Sequence, residues 1–335
     1  MNPVTLKDIA DKLNLSKSTV SRALKDHPDI SPATKKQIVD MAKKLEYQPN
    51  FIAQSMTTRQ TKTIGIIVPE IWHEFFGSVV SGAEEVANKR GYNIMVCQSS
   101  EKYEREFKNT NALISKQVDG LLVSVSQETK DSSHFNLAQK RGIPLVFFNR
   151  VCEGVEAASV QVDDKNGAYE AVKHLINKGY KRIAHFSGPQ AISVCQERMA
   201  GYKKAMEEFG LPLDKDYILS GGFSEEDGVF HINKILKMGK PLPDAIFTIN
   251  DPVAIGAIIC LKENGYKIPQ DIALAGFSDD RVSSYIEPNL TTVRQPTKEL
   301  GRVAMELLLK QIESKKLYPD EKIILKTELI IRNSS

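Results

Sequence analysis

The chain has 335 residues, 41% of them hydrophobic and 26% charged, a composition that suits a soluble globular protein of two or three domains. Its longest apolar runs, such as "AIGAIICL", are far too short to span a bilayer. The net charge of +3 is unevenly distributed: residues 1–62 hold eleven Lys/Arg against six Asp/Glu, a balance of +5, which leaves −2 for the remainder. A small basic head on a faintly acidic body is a footprint expected of nucleic-acid binding.

The first residues, "MNPVTLKDIADKL", carry charges at helical spacing and no apolar h-region, so no secretion signal is expected and the chain reads as intracellular. Thr5 followed by Asp8 three residues later predicts a capping box, after which Leu6, Ile9, Ala10 and Leu13 form an apolar stripe. Asn14-Leu15-Ser16 is a short turn with Ser16 as the N-cap of a second helix. Ser31 before Pro32 starts a third, carrying Ile38, Val39, Ala42 and Leu45. Two helices joined by a short turn and braced by a third predict a helix-turn-helix. On a wheel of roughly 100° per residue, Val20, Ala23 and Leu24 share one side, while Lys17, Ser18, Ser21, Arg22 and Lys25 share the opposite arc. Small hydroxyls and cations on one arc suit close approach to DNA. The same spacing also fits a helix with a solvated polar face. Downstream, "YQPNFIAQSMTTRQTKT" begins with a Pro stop, continues into an apolar-spaced segment without strong caps, and ends as a polar, basic linker. Such a segment can fold on contact with DNA and insert an apolar side chain into the minor groove.

The stretches "VTLKDIADKLNLSKSTVSRAL", "ISPATKKQI", "LEYQPNFIAQSM" and "KTIGIIVPEI" together resemble the LacI/GalR family of bacterial transcription regulators. The resemblance implies that Lys17, Ser18 and Arg22 read bases in the major groove, with Thr5, Ser16, Thr19, Ser21 and Asn50 among the backbone-contacting residues. It also implies that Ala53, Gln54, Ser55 and Met56 lie on a hinge helix at the operator centre. Met56, similarly apolar but more flexible, stands where the family's wedge is usually leucine.

From Thr63 onward, strand-like runs ("TIGIIV", "NIMVC", "GLLVSV", "PLVFF", "RIAHF", "AIFTI", "IALAGF") alternate with helical stretches such as "SVVSGAEEVANKRGY" and "GAYEAVKHLINKGY". Continuous apolar strands separated by helices indicate parallel sheets covered on both faces, and this length suggests two doubly wound lobes. The expected architecture is therefore α/β: a helix-turn-helix over residues 1–46, a hinge helix and linker over 47–62, and a two-lobed core over 63–335. The first lobe is expected to comprise about 63–161 with 292–320, and the second about 162–291 with 321–335. The C-terminal "EKIILKTELIIRNSS" reads as one strand with a polar tail. It lacks a leucine-heptad helix that would tie dimers into tetramers, so a homodimer is expected.

Ligands of such sheets bind beyond the carboxyl ends of the strands. The loops there offer aromatic faces (Phe75, Phe76, Phe223), amides and hydroxyls (Ser124, Asn149, Asn250, Ser278), two arginines (Arg150, Arg198) and Asp251. Stacking surfaces with paired hydrogen-bonding groups suit a polar ring such as a sugar. Phe76 and Phe277 also fit core positions, Asp251 a helix cap, and Asp279 a turn. The family resemblance implies a two-lobed sugar-binding fold of the periplasmic type, with an effector in the cleft. The family commonly has Asp where this chain has Asn149 and Ser278. With Arg150 and Arg198 retained, the expected effector includes anions such as a sugar phosphate.

Four cysteines (Cys97, Cys152, Cys195, Cys260) lie tens of residues apart without a CxxC pair, and six histidines are equally scattered, so neither a metal site nor a cofactor is expected. No nucleophile elbow, P-loop or GxGxxG stands in context, and the adjacent pairs Asp163-Asp164 and Asp279-Asp280 read as structural or ligand-orienting. The competing functions are a solute-binding protein or sugar-modifying enzyme with an incidental helical cap. The family resemblance implies instead a cytoplasmic repressor of carbohydrate-related genes. It would sit on the nucleoid when bound to a near-palindromic double-stranded operator, and would be controlled by a small sugar or sugar-phosphate effector. No catalysis, metal or membrane is implied.

Overall fold

A computed structural model describes residues 4–48 and 60–335. The chain divides into two compact units, Met1–Thr61 and Lys62–Ser335.

In the first unit, α1 (Leu6–Leu13), α2 (Lys17–Leu24) and α3 (Pro32–Lys44) are each started by the residues that the sequence marks. Thr5 and Asp8 close a reciprocal capping box, and the Ser16 and Ser31 hydroxyls accept from the amides of Thr19 (3.0 Å) and Thr34 (3.2 Å). Asn14 ends α1 in the left-handed region (φ 52°), a conformation asparagine tolerates, and this turns the chain into α2 within three residues. Ile9, Ala10, Val20, Ala23, Ile38 and Ala42 form the shared core. Val20 is fully buried, a burial that stabilises by roughly 1.5–3 kcal/mol.

The second unit holds two parallel sheets. The first has six strands in the order β11-β5-β4-β3-β1-β2: β1 (Thr63–Val68), β2 (Asn93–Gln98), β3 (Gly120–Val123), β4 (Leu145–Phe148), β5 (Ala158–Val162) and β11 (Lys322–Leu325). Alternate residues face opposite layers. Ile64, Ile66, Leu122, Val146 and Phe148 pack on α4 (Glu74–Lys89) and α11 (Thr297–Ser314), whereas Ile67, Leu121, Val123, Leu145 and Phe147 face α5 (Tyr103–Ser115) and α6 (Ser133–Lys140). The second sheet runs β7-β6-β8-β9: β6 (Ile183–Ser187), β7 (Ile218–Ser220), β8 (Ala245–Thr248) and β9 (Ala273–Ala275). One face is covered by α7 (Asp164–Asn177) and α8 (Ser193–Glu208), the other by α9 (Glu225–Leu236) and α10 (Asp251–Glu263). The α9–α10 crossing depends on two glycines: a Cβ on Gly228 would lie 2.1 Å from the Val253 carbonyl oxygen, and one on Gly256 would lie 1.9 Å from that of Glu225.

The lobe boundaries differ from the sequence expectation at both C-terminal crossings. The strand β10 (Thr292–Arg294), expected in the first lobe, pairs antiparallel with β12 (Glu328–Ile330), and Val293 packs in the second lobe's core with Leu329 against it. Conversely, Lys322–Leu325, expected in the second lobe, forms β11 along β5 of the first sheet. "EKIILKTELIIRNSS" is thus two strands in two lobes, split at Lys326-Thr327. The physical reason is pairing: β5 has a free edge that β11 covers, while β12 finds its partner in β10.

Candidate functional site

In the helical unit, α2 buries Val20 and Ala23 and leaves Lys17, Ser18 and Arg22 exposed, with Thr19 and Ser21 half-buried at the border. Ser16 is occupied in capping: besides the Thr19 amide, its hydroxyl meets the hydroxyls of Ser18 and Thr19, each at 2.8 Å. Thr5 is similarly committed to Asp8, through its amide and hydroxyl at 2.7 Å each. Those bonds hold the Asp8 carboxyl below its ordinary value. Arg22 has only a loose ion pair, 3.9 Å from Asp29 with both side chains largely exposed, so little holds it back from a new partner. Asn50, Ala53, Gln54, Ser55 and Met56 lie outside the described residues.

Between the two sheets lies a cleft of about 530 Å3, open solvent included. It is lined by His73, Phe75, Phe76, Glu101, Asn149, Arg150, Val194, Arg198, Phe223, Asn250, Pro252, Ser278, Asp280 and Gln295. The size suits a small ligand. Every one of these residues stands at or near the carboxyl end of a strand or the start of the helix that follows, where doubly wound sheets place their ligands. Eight expected residues meet there: Phe75, Phe76, Asn149, Arg150, Arg198, Phe223, Asn250 and Ser278. Asn149 (φ 58°) and Ser278 (φ 145°) both have positive φ. The second value is almost confined to glycine elsewhere, and backbone strain of this kind concentrates at ligand sites.

Two expected residues do not line the cleft. Ser124 follows β3, fully buried, with its amide bonded to the Ile67 carbonyl at 3.0 Å. Asp251 is fully buried and saturated: it accepts from the Asp280 amide (2.9 Å), the Ser283 hydroxyl (2.6 Å) and the Thr292 hydroxyl. It braces the loop after β9, while the neighbouring Asn250 caps α10 by accepting from the Val253 amide (3.1 Å) and donates to the Phe223 carbonyl (2.8 Å). Burial pushes the Asp251 carboxyl up, against the pull of those three donors.

The two arginines of the cleft are both ion-paired. Arg150 donates to both carboxylate oxygens of Glu101 at 2.9 Å, and its guanidinium lies 4.6 Å from the Phe223 ring centroid. Arg198 donates to Asp164 at 2.8 Å and to the Ile249 carbonyl, and it lies 3.7 Å from the Phe277 ring centroid. Each cation therefore already has a carboxylate partner within the fold. The uncompensated group is Asp280, whose pKa is pushed up to about 8 by burial and then by the charges of Asp251, Glu74, Asp279 and Glu225. His73 is held below its ordinary value, mainly by burial.

His73, Glu101, Val194, Pro252 and Gln295 are the cleft residues that sequence reasoning missed, and Asp280, read only as half of a structural or ligand-orienting pair, joins them there. Asp280 carried a visible signal in the "GFSDD" loop; Glu101, three residues beyond the end of the NIMVCQ strand, had none besides its place at a strand end. Of the other adjacent acids, Asp163 caps α7, accepting from the Asn166 amide at 3.1 Å, and Asp279 pairs with Arg294 and Arg332. Among the described residues, no group of three or more His, Cys, Asp or Glu is arranged to hold a metal, and no helix is long and apolar enough to cross a membrane.

Comparison with known proteins gives the same two-part division. Residues 5–50 match the family model for bacterial regulatory proteins of the lacI family, and residues 61–332 match that for periplasmic binding proteins and the sugar-binding domain of the LacI family. The HTH-type transcriptional repressor PurR of Vibrio parahaemolyticus is 33% identical over 330 residues, 98% of each chain. Among solved structures, the transcriptional regulator CelR in complex with cellobiose superposes with a TM-score of 0.76 at 28% identity, over 99% of this chain and 100% of the other. The Lac repressor dimer bound to operator and the anti-inducer ONPF gives 0.88 over 99% of both chains; at 24% identity it speaks to the fold alone.

Proposed function

The chain belongs to the LacI family of bacterial regulatory proteins, and from that premise we propose that it is a DNA-binding transcriptional repressor controlled by a sugar held between its two lobes. The observation that carries this is the pairing, in one chain, of a helix-turn-helix whose α2 presents Lys17, Ser18 and Arg22 with a strand-end cleft of stacking rings and amides. It acts as a homodimer on a near-palindromic operator, because two identical heads read two symmetric half-sites. Lys17, Ser18 and Arg22 contact base edges. Thr5, Ser16, Thr19, Ser21 and Asn50 contact the phosphates, and Ala53, Gln54, Ser55 and Met56 contact the operator centre. The protein works in the bacterial cytoplasm, on the nucleoid when bound, and catalyses no reaction.

In the cleft, Phe76 and Phe223 face the sugar ring, and Asn149, Asn250, Ser278 and Gln295 exchange hydrogen bonds with its hydroxyls. Arg150 and Arg198 stand in the cleft already paired with Glu101 and Asp164, which favours an uncharged sugar over a sugar phosphate as the effector. Ligand and lobe closure are linked: a sugar that binds one lobe arrangement better shifts the population toward it, and DNA and effector alter each other's affinity by one common factor. A gel shift of the purified chain on upstream fragments of its own operon tests this. A retarded band that a candidate sugar strengthens or weakens is expected; no retardation at low salt, with or without sugars, would sink the regulator assignment.

A further inference from the structure

Ser278 and Asp280 line the cleft, and Asp279 between them does not. The turn they make is strained: Ser278 (φ 145°) and Asp279 (φ 61°) are consecutive non-glycine residues with positive φ. Such a backbone persists only where its surroundings over-determine it. Here every amide of the turn is tied. That of Ser278 donates to the Val293 carbonyl (2.9 Å), that of Asp279 to the Thr292 hydroxyl (3.3 Å) and that of Asp280 to the Asp251 carboxylate (2.9 Å). The Asp279 carboxylate takes one cation on each oxygen: Arg332 donates to Oδ1 at 2.6 Å and Arg294 to Oδ2 at 2.7 Å. Neither arginine lines the cleft.

The two cations hold the turn unequally. Arg294 is exposed and also reaches Glu328 at 3.1 Å, so solvent screens its grip. Arg332 keeps only 17% of its side chain exposed, and its other terminal nitrogen donates to the Leu290 carbonyl at 2.8 Å. Its backbone is pinned as well. The Arg332 amide donates to the Thr291 hydroxyl at 2.9 Å. Two residues on, the fully buried Ser334 hydroxyl accepts from the Thr291 amide (2.8 Å) and donates to the Leu274 carbonyl (2.7 Å). The planar guanidinium thus bridges the turn to a fixed strand end, a geometry that lysine's single point charge reproduces only in part. On the cleft side, the Ser278 hydroxyl accepts from the Gln295 side-chain amide at 3.2 Å, and both residues line the cavity. Where the turn sits therefore sets where these two polar groups stand, and binding groups lose their worth when displaced by about 1 Å.

We propose that Arg332 is a positioning residue for effector recognition: acting through Asp279, it holds the Ser278–Asp280 turn in the strained form that places Ser278 and Gln295 in the cavity wall. This rests on the effector-cleft reading above and adds to it a residue that does not touch the ligand.

The test begins with calorimetric titration of the full chain with ribose, glucose, galactose, fructose, maltose and cellobiose, and follows the sugar that binds the parent into the variants. Arg332→Met is expected to bind it at least about tenfold more weakly, and Arg332→Lys to recover part of that loss. Asp279→Asn, which keeps a residue tolerant of the left-handed backbone but gives up the charge, is expected to match Arg332→Met. The double variant should bind no more weakly than the worse single one, because both changes cut the same link. Hydrogen exchange read by mass spectrometry supplies a measure that needs no ligand. Peptides covering Ser278–Asp280 should exchange faster in Arg332→Met and Asp279→Asn, while those of β6 and β8 keep the parent's protection. Unchanged affinity in both single variants, additive losses in the double one, or faster exchange throughout the second lobe overturns the proposal. The two failures are distinguishable: a parent that binds a sugar with variants that bind it equally well removes only the role of Arg332, whereas a parent silent to every sugar removes the sugar reading and this role with it.

Discussion

Arg198→Met tests whether the arginine at the back of the cleft is a ligand anchor or part of the lobe's own framework. In the structure Asp164 is 3% exposed and accepts from Arg198 at 2.8 Å. Burial pushes its carboxyl above the ordinary 3.8, and Arg198 opposes that shift. With the guanidinium gone, the carboxyl takes up a proton rather than stay charged without a partner. At 1.36 kcal/mol per pH unit, neutralising an ordinary carboxyl at pH 7 costs about 4 kcal/mol, which caps the charge penalty. That agrees with the roughly 3–5 kcal/mol typical of breaking a buried pair. The Ile249 carbonyl also loses its donor. A loss of up to about 4 kcal/mol is therefore expected at pH 7, the parent's own raised carboxyl making it smaller than that ceiling. The variant's folded-state pKa for Asp164 lies above its unfolded value. The charge-linked part of the deficit thus vanishes at and below the unfolded pKa, near pH 4, and grows as pH rises toward the folded one; the loss of the Ile249 bond stays at every pH. Between pH 7 and pH 5 it should shrink by up to about 2.7 kcal/mol. The double variant Asp164→Leu/Arg198→Met removes both charges and should show a smaller loss without that slope. Urea unfolding followed by circular dichroism at pH 5, 6 and 7 measures all three proteins. A loss under about 1 kcal/mol, or a pH-independent loss equal to the double variant's, would falsify the ion-pair account and free Arg198 to bind an anion.

Two further outcomes are expected. Arg22→Ala should weaken operator binding by about 1–3 kcal/mol while leaving binding to unrelated duplex nearly unchanged; equal losses on both in a salt-matched gel shift would contradict base readout. Gly256→Ala, which on an unobstructed helix would stabilise by about 0.4–1 kcal/mol, should instead destabilise the second lobe. Its Cβ would sit 1.9 Å from the Glu225 carbonyl oxygen, and overpacking of this sort costs roughly 1–3 kcal/mol. A melting temperature at or above the parent's would show that α9 and α10 separate without cost.

What could be read from the sequence was what nearby residues decide among themselves. Thr5 with Asp8, Ser16 with Thr19, and Ser31 with Thr34 lie three positions apart, so helix starts follow from local hydrogen-bonding chemistry. The same holds for "TIGIIV" or "PLVFF", whose β-branched and aromatic runs bury both faces. Strand ends locate loops, and loops locate the cleft, which is why eight of the ten expected ligand residues meet there. Tertiary structure decided who pairs with whom. Asp164 is 34 positions from Arg198 and Glu101 is 49 from Arg150, so no spacing announces that both cations are already held. Asp251 looks like any loop acid until Ser283 and Thr292, 32 and 41 residues on, close around it. The C-terminal run "KIILKTELI" is equally a single strand until the free edge of β5 takes one half and β10 takes the other. Pairing across tens of residues depends on which edges and charges the fold brings together. For that reason the charge pairing inside the cleft emerges only from the folded chain.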